Sequence, residues 1–150
     1  VAVVTLALSA AGLVGIAVHE GYRPVAYRPL PGDVPTIGFG TTDGVRMGDS
    51  IDPVQALVRK LDDVQRFEGA LQSCVRVPLH QHEYDAFLSL AYNIGSGAFC
   101  GSTLVRLLNQ GDYRAACDQI LRWDKFRGQP LRGLTLRRQA EHRQCLGDAQ

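Results

Sequence analysis

The sequence predicts an α+β fold with an N-terminal helix, a small β-hairpin lobe and a larger helical lobe. Three observations carry that prediction. An uncharged run, Val1 to Val18 (VAVVTLALSAAGLVGIAV), opens the chain. Residues 21–50 then crowd Gly and Pro among β-favouring strings such as VAY and TIGF. From Asp52 onward, apolar residues recur at near-helical spacing between turn residues. At 150 residues the chain has the size of one ordinary domain, which buries a continuous core without metals or staples. A hydrophobic content of 45% and a charged content of 21% exclude long disordered tracts and a polytopic membrane protein.

The elements follow in order. Asp52 before Pro53 reads as an N-cap with Pro at the first helical position. The apolar positions Val54, Leu57, Val58, Leu61, Val64 and Leu71 then carry a helix to about Ser73. A second helix begins after Pro78, carries Tyr84, Phe87, Leu88 and Ala91, and ends in the glycine turn Gly95–Gly97. Ser102 or Thr103 caps a short third helix that stops near Gly111, and Asp112 caps a fourth that runs to Trp123. A fifth spans Leu134 to Leu146.

The formal net charge of +1 says little, but its distribution is uneven. Acids gather between Asp49 and Glu83, while Arg127, Arg132, Arg137, Arg138 and Arg143 crowd the last quarter. Such a basic lobe suits an anionic partner such as phospholipid, nucleic acid or an acidic wall polymer; its alternative is a solvated helix face. The cysteines Cys74, Cys100, Cys117 and Cys145 form an even set with no CxxC and no zinc-like spacing. Two disulfides in an oxidising compartment are expected. Antiparallel packing of the fourth and fifth helices would let Cys117 meet Cys145, and Cys74 at the end of the first long helix would meet Cys100. This is the preferred one of three possible pairings.

The opening run is longer than most signal-peptide cores and barely long enough to span a bilayer. Its nine Val, Leu and Ile residues contribute about −3 to −5 kcal/mol on an insertion scale. Five Ala, two Gly, one Ser and one Thr add little or oppose, so insertion would be marginal. A buried core helix is the alternative. The chain opens on Val rather than Met, which predicts sequence upstream.

The first acid of the chain, Glu20, stands where this run ends. A carboxyl at the end of an apolar helix is expected to be partly desolvated and able to donate a proton near neutral pH, whereas Asp33, on a Gly-rich turn, is expected to stay ionised. Glycosidic cleavage needs that division of labour: one acid protonates the leaving oxygen and one carboxylate orients water or stabilises the oxocarbenium-like transition state. Thr36 adds a neutral hydroxyl that can hold the water. Spacing alone is a weak signal.

The literal string is stronger. Glu20-Gly21, Tyr27, Asp33 and Thr36-Ile37-Gly38-Phe39-Gly40, followed by VPLHQHEYDAF, YNIGSGAFCGSTLVRLLNQGDY, DQILRW and GLTLRRQAE, resemble the phage-type lysozymes (endolysins) over essentially everything after residue 19. The resemblance implies a lysozyme-like fold and hydrolysis of the β-1,4 bond between N-acetylmuramic acid and N-acetylglucosamine in peptidoglycan, by single displacement with inversion, for host cell lysis. Glu20 matches the family's general acid and Thr36 its water-holding hydroxyl. The family's Asp lies closer to the Glu, where this chain has Arg28, Pro29 and Leu30. Asp33, the only acid between Glu20 and Thr36, is assigned that second role; its alternative is to close a turn after Gly32. Thr41 stands where many relatives have His.

Asn93 matches a residue that lines the family's sugar groove, with capping of the Gly95 turn as the alternative. Trp123 reads as core rather than as a sugar platform. His80, His82 and Glu83 look like metal ligands, but on a helix i and i+2 diverge, so no metal and no cofactor are implied. Residues 1–18 resemble a signal-anchor-release segment, which tethers an enzyme to the host inner membrane and then frees it into the periplasm. No Cys lies in that segment, so release would act by repositioning Glu20 as the freed helix packs. A monomer without a nucleic-acid partner is expected. The rival readings are a lytic transglycosylase and a catalytically inactive wall-binding scaffold.

Overall fold

The computed structural model describes residues 1–148. Its helices are α1 (Ala10–Glu20), α2 (Pro53–Cys74), α3 (Gln81–Ile94), α4 (Ser96–Cys100), α5 (Thr103–Asn109), α6 (Tyr113–Gln119) and α7 (Arg132–Cys145). Two antiparallel ribbons accompany them, β1 (Arg23–Tyr27) with β2 (Thr36–Gly38) and β3 (Lys125–Phe126) with β4 (Gln129–Pro130). The chain divides into two compact units. One is Leu13–Gln65, and the other is Val1–Gly12 together with the chain from Arg66 onward. The divide falls within α1 and within α2.

In the Leu13–Gln65 unit, β1 and β2 pair Arg23 with Gly38 and Tyr27 with Thr36, with an irregularity between. Backbone bonds from Ala26 N to Asp49 O and from Ile51 N to Pro24 O, both 2.9 Å, tie the following loop to β1. A small apolar cluster of Ala26, Ile37, Val45 and Ile51 fills the hairpin. The Tyr22 hydroxyl donates to Ile51 O at 2.9 Å, and its ring meets Phe39 at 5.4 Å between centroids. Asp52 caps α2 as expected, its Oδ1 accepting from Gln55 N at 2.9 Å.

The other unit is helical. Tyr84, Phe87, Leu88 and Leu90 of α3, Leu104 and Leu108 of α5 and Ile120 are all buried. Ser102 and Asp112 cap α5 and α6 by accepting from Val105 N and Ala115 N. Cys74 bonds Cys100 and Cys117 bonds Cys145, with Cα–Cα distances of 5.6 and 5.7 Å, in the preferred pairing. Two elements escaped the sequence reading: the single turn α4, folded into the Gly95–Gly101 segment, and the β3–β4 ribbon. The ribbon turns at Arg127-Gly128, both with positive φ.

Within the same unit, residues 1–9 are not helical apart from a 3₁₀ turn at Val3–Thr5. Ser9 is the physical reason. Its Oγ accepts from Gly12 N at 3.0 Å, which makes it the N-cap from which α1 starts. The backbone of the preceding residues is held by side chains: Gln72 Nε2 donates to Leu6 O (3.1 Å), Gln81 Nε2 to Ala7 O (2.8 Å), and Leu8 N donates to Glu68 Oε1 (2.7 Å). Ser9 N and Oγ both donate to Asp85. Glu68 also accepts from the buried Tyr84 hydroxyl at 2.8 Å. Burial, and then that bond to Glu68, pushes the Tyr84 phenol well above its usual range, so it stays a donor.

The basic lobe is not a uniform solvated face. Arg127, Arg132 and Arg143 are exposed, but Arg137 and Arg138 are buried. Arg138 Nε lies 2.6 Å from Glu141 Oε1, with both side chains 1% exposed. Burial pushes the Glu141 carboxyl up.

Candidate active site

The TIGFG string has a spatial reason. A Cβ on Gly38 (φ +64°) would meet the Ala56 Cβ at 2.9 Å, so Gly there lets β2 lie against α2. A Cβ on Gly40 (φ +89°) would meet Glu20 Oε2 at 3.0 Å and Lys60 Nζ at 3.7 Å. The second glycine therefore makes room for the carboxyl at the end of α1. Glu20 remains 25% exposed at its side chain, while Lys60 is fully buried with Nζ 3.8 Å from Glu20 Oε1. Beside them the Thr41 hydroxyl, 2% exposed, donates to Asp63 Oδ2 at 2.6 Å. Where relatives were expected to place a His, this chain closes a neutral-to-charged hydrogen bond.

Glu20, Asp33 and Thr36 all belong to the Leu13–Gln65 unit. Thr36 begins β2, is buried at 7% exposure, and donates through Oγ1 to Val34 O at 3.2 Å. Asp33 is exposed on the turn between β1 and β2. Its N donates to Leu30 O and its Oδ2 accepts from Leu30 N, each at 3.0 Å, so it does close the turn. One oxygen is thereby engaged, yet a carboxylate offers about four acceptor sites, enough to orient a water as well.

Asn93 is exposed on the last turn of α3, in the other unit. At the turn that follows, Gly95 N donates to Ala91 O at 2.8 Å. Trp123 is half-buried rather than core and lines a cavity of about 370 Å³ with Ser102, Thr103, Gln119 and Arg122. The His80 and His82 rings stack at 5.3 Å between centroids. Glu83 Oε1 accepts from His80 N at 2.8 Å, and His82 Nδ1 lies 3.1 Å from Gln144 O. These three residues serve the start of α3 and the end of α7. Among the described residues no His, Cys, Asp and Glu group could hold a metal ion.

The sequence reading missed Lys60 and Asp63. The apolar stripe it drew on α2 included Val54 and Val58, which are 71% and 64% exposed. Val64 and Leu71 of that stripe are buried, together with Ala56 and Lys60, which it lacked. A four-residue step from Ala56 through Lys60 to Val64 was the available signal.

With this geometry in place, comparison with known proteins defines the class. The phage lysozyme family profile matches residues 17–141, and the chain belongs to that family. It is thus a glycoside hydrolase of the lysozyme type, with an α+β lysozyme-like fold. An endolysin of Acyrthosiphon pisum secondary endosymbiont phage 1 is 41% identical over 138 residues, covering 89% of this chain and 94% of that protein. A SAR-endolysin of Pseudomonas phage phiKMV is 40% identical, covering 91% of this chain and 87% of its own. Among solved structures, the muramidase domain of SpmX from Asticaccaulis excentricus superposes with a TM-score of 0.87 at 32% identity, over 93% of this chain and 97% of that one.

Proposed function

We propose that the chain is an endolysin, acting as a monomer, that hydrolyses the β-1,4 bond between N-acetylmuramic acid and N-acetylglucosamine of bacterial peptidoglycan by single displacement with inversion. Glu20 gives its proton to the glycosidic oxygen, Asp33 is the second carboxyl, Thr36 holds the water, and Asn93 contacts the sugar. The observation that carries this reading is the Glu20 carboxyl, part-exposed at the end of α1 and seated in the space that Gly40 leaves. A donor must both be held and be reachable. The muramidase and endolysin names of the relatives support the same substrate.

The turn-closing bonds of Asp33 favour a second reading, a lytic transglycosylase that works with one acid/base and without water. Mass spectrometry of digested peptidoglycan separates the two. Reducing muramic ends are expected, and anhydro-muramic ends would overturn the hydrolase.

Residues 1–18 are proposed to be a signal-anchor-release segment that tethers the enzyme to the host inner membrane before it enters the periplasm. Val1, Val4, Val14 and Val18 are 70%, 68%, 54% and 73% exposed, so the segment presents apolar side chains at the surface. The bonds that hold Leu6, Ala7 and Leu8 go to backbone atoms, which leaves those side chains able to stay apolar. The SAR-endolysin name of the phiKMV relative supports this. In this folded form no helix among the described residues is long and apolar enough to cross a membrane. Fractionation of cells expressing the chain should find it in the membrane before, and in the periplasm after, collapse of the membrane potential. Protein in the cytoplasm at both times would contradict the anchor.

A further inference from the structure

Lys60 is an unusual residue to find at 0% exposure, because a buried ammonium is costly unless it is paired. It sits on the buried stripe of α2 between Ala56 and Val64, where an apolar residue would be expected. Its Nζ lies 3.8 Å from Glu20 Oε1, and the other carboxylate oxygen, Oε2, is the atom nearest the place a Gly40 Cβ would occupy, at 3.0 Å. The carboxyl is therefore bounded on one side by a cation and on the other by a glycine that alone leaves it space. An exposed lysine would be screened by water and would swing freely. This one is closed off from bulk water.

We propose that Lys60 is a positioning residue for the lysozyme reaction: it fixes the Glu20 carboxyl and offsets the negative charge that Glu20 acquires on giving up its proton. This rests on Glu20 being the general acid. In that step the Glu20 O–H bond breaks as its proton bonds to the glycosidic oxygen. The C1–O bond breaks, its electron pair leaves with that oxygen, and water adds at C1 with loss of a proton to a carboxylate or solvent. Glu20 thus passes from neutral to anionic as the bond cleaves. In the form of the enzyme whose Glu20 is protonated, a fixed ammonium nearby interacts more strongly with the transition state, where the carboxyl gains charge, than with the ground state, so in that form it acts on kcat and not on KM. Because the ammonium is preorganised by burial, no reorientation is needed when the charge appears.

The test uses the full chain with Lys60→Met, Lys60→Arg and Glu20→Gln, assayed on peptidoglycan for kcat and KM separately, with thermal melting of each variant. Lys60→Met should lower kcat about tenfold or more with KM within about twofold, and Lys60→Arg should recover most of that loss. If Lys60→Met does not fold, Lys60→Gln is read in its place. A folded uncharged variant whose kcat falls less than about threefold overturns the proposal, as does an Arg variant that recovers nothing, or a chain that folds with neither Met nor Gln. Failure of the underlying reading is distinct: Glu20→Gln would then keep wild-type kcat. Loss of activity in Glu20→Gln beside an unaffected Lys60→Met removes Lys60 alone.

Discussion

The two compact units solve different problems. The Leu13–Gln65 unit contains no cysteine, and its hairpin rests on a four-residue apolar cluster of Ala26, Ile37, Val45 and Ile51. Besides the apolar Ile16, Ala17, Ala56 and Val64 it buries polar groups: Lys60 beside Glu20, Thr36, and Thr41 on Asp63. The other unit has two disulfides and a core of large side chains, including Tyr84, Phe87 and Phe99. Catalytic groups need a geometry held by partners that themselves cost stability, and both cross-links lie in the unit that holds none of Glu20, Asp33 and Thr36.

That comparison is sharpened most strongly by removing a staple. Replacing Cys117 and Cys145 together by Ser opens a loop with a sequence separation of 28, and the chain-entropy relation puts the loss at about 3 to 4 kcal/mol. Urea unfolding should show it as a lower midpoint, and an unchanged midpoint would mean that the helical unit does not depend on this bridge. Next in size is Thr41→Val. It removes the donor to Asp63 from a site 2% exposed, with an expected cost of about 1 to 2 kcal/mol, while Thr41→Ser should restore most of it.

The smallest effect is electrostatic and lies in the helical unit. The hydrogen bond from His142, and after it Arg114, holds the Asp118 carboxyl below its usual range. The folded chain then binds fewer protons than the unfolded chain between the two values. The resulting stability is fully present above about pH 4 and is lost as pH falls toward the folded value. Because Asp118 is half exposed, the gain is small. Asp118→Asn should flatten the decline in melting temperature between neutral and acid pH slightly, and should not touch activity.

Much of the helical unit was legible because its signals are local. Ser102 and Asp112 mark helix starts by capping chemistry that operates within three residues, as Asp52-Pro53 does in the other unit. The cysteine pairing was the preferred one of three, from antiparallel packing of the helices that carry Cys117 and Cys145, and the structure has it. Glu20 and the TIGFG string were legible as well, through a resemblance carried by literal residues. Other features depended on neighbours far along the chain. Lys60 has no local signal of its role, because Glu20, beside which it lies, is forty positions earlier in the sequence. Ser9 caps α1 through a local bond from Gly12 N, but the apolar run gives no hint of its other partner, Asp85 on α3. The β3–β4 ribbon was missed because each strand is only two residues long, too short for alternation to register.

The central claim is that Glu20 supplies the proton for glycosidic cleavage. Glu20→Gln keeps the side-chain shape and removes the acid. Purified variant and wild type, compared for clearing of outer-membrane-permeabilised cells with melting temperature followed alongside, test it most directly. The account predicts a loss of about a hundredfold or more in clearing rate with melting little changed. Clearing at the wild-type rate would contradict it.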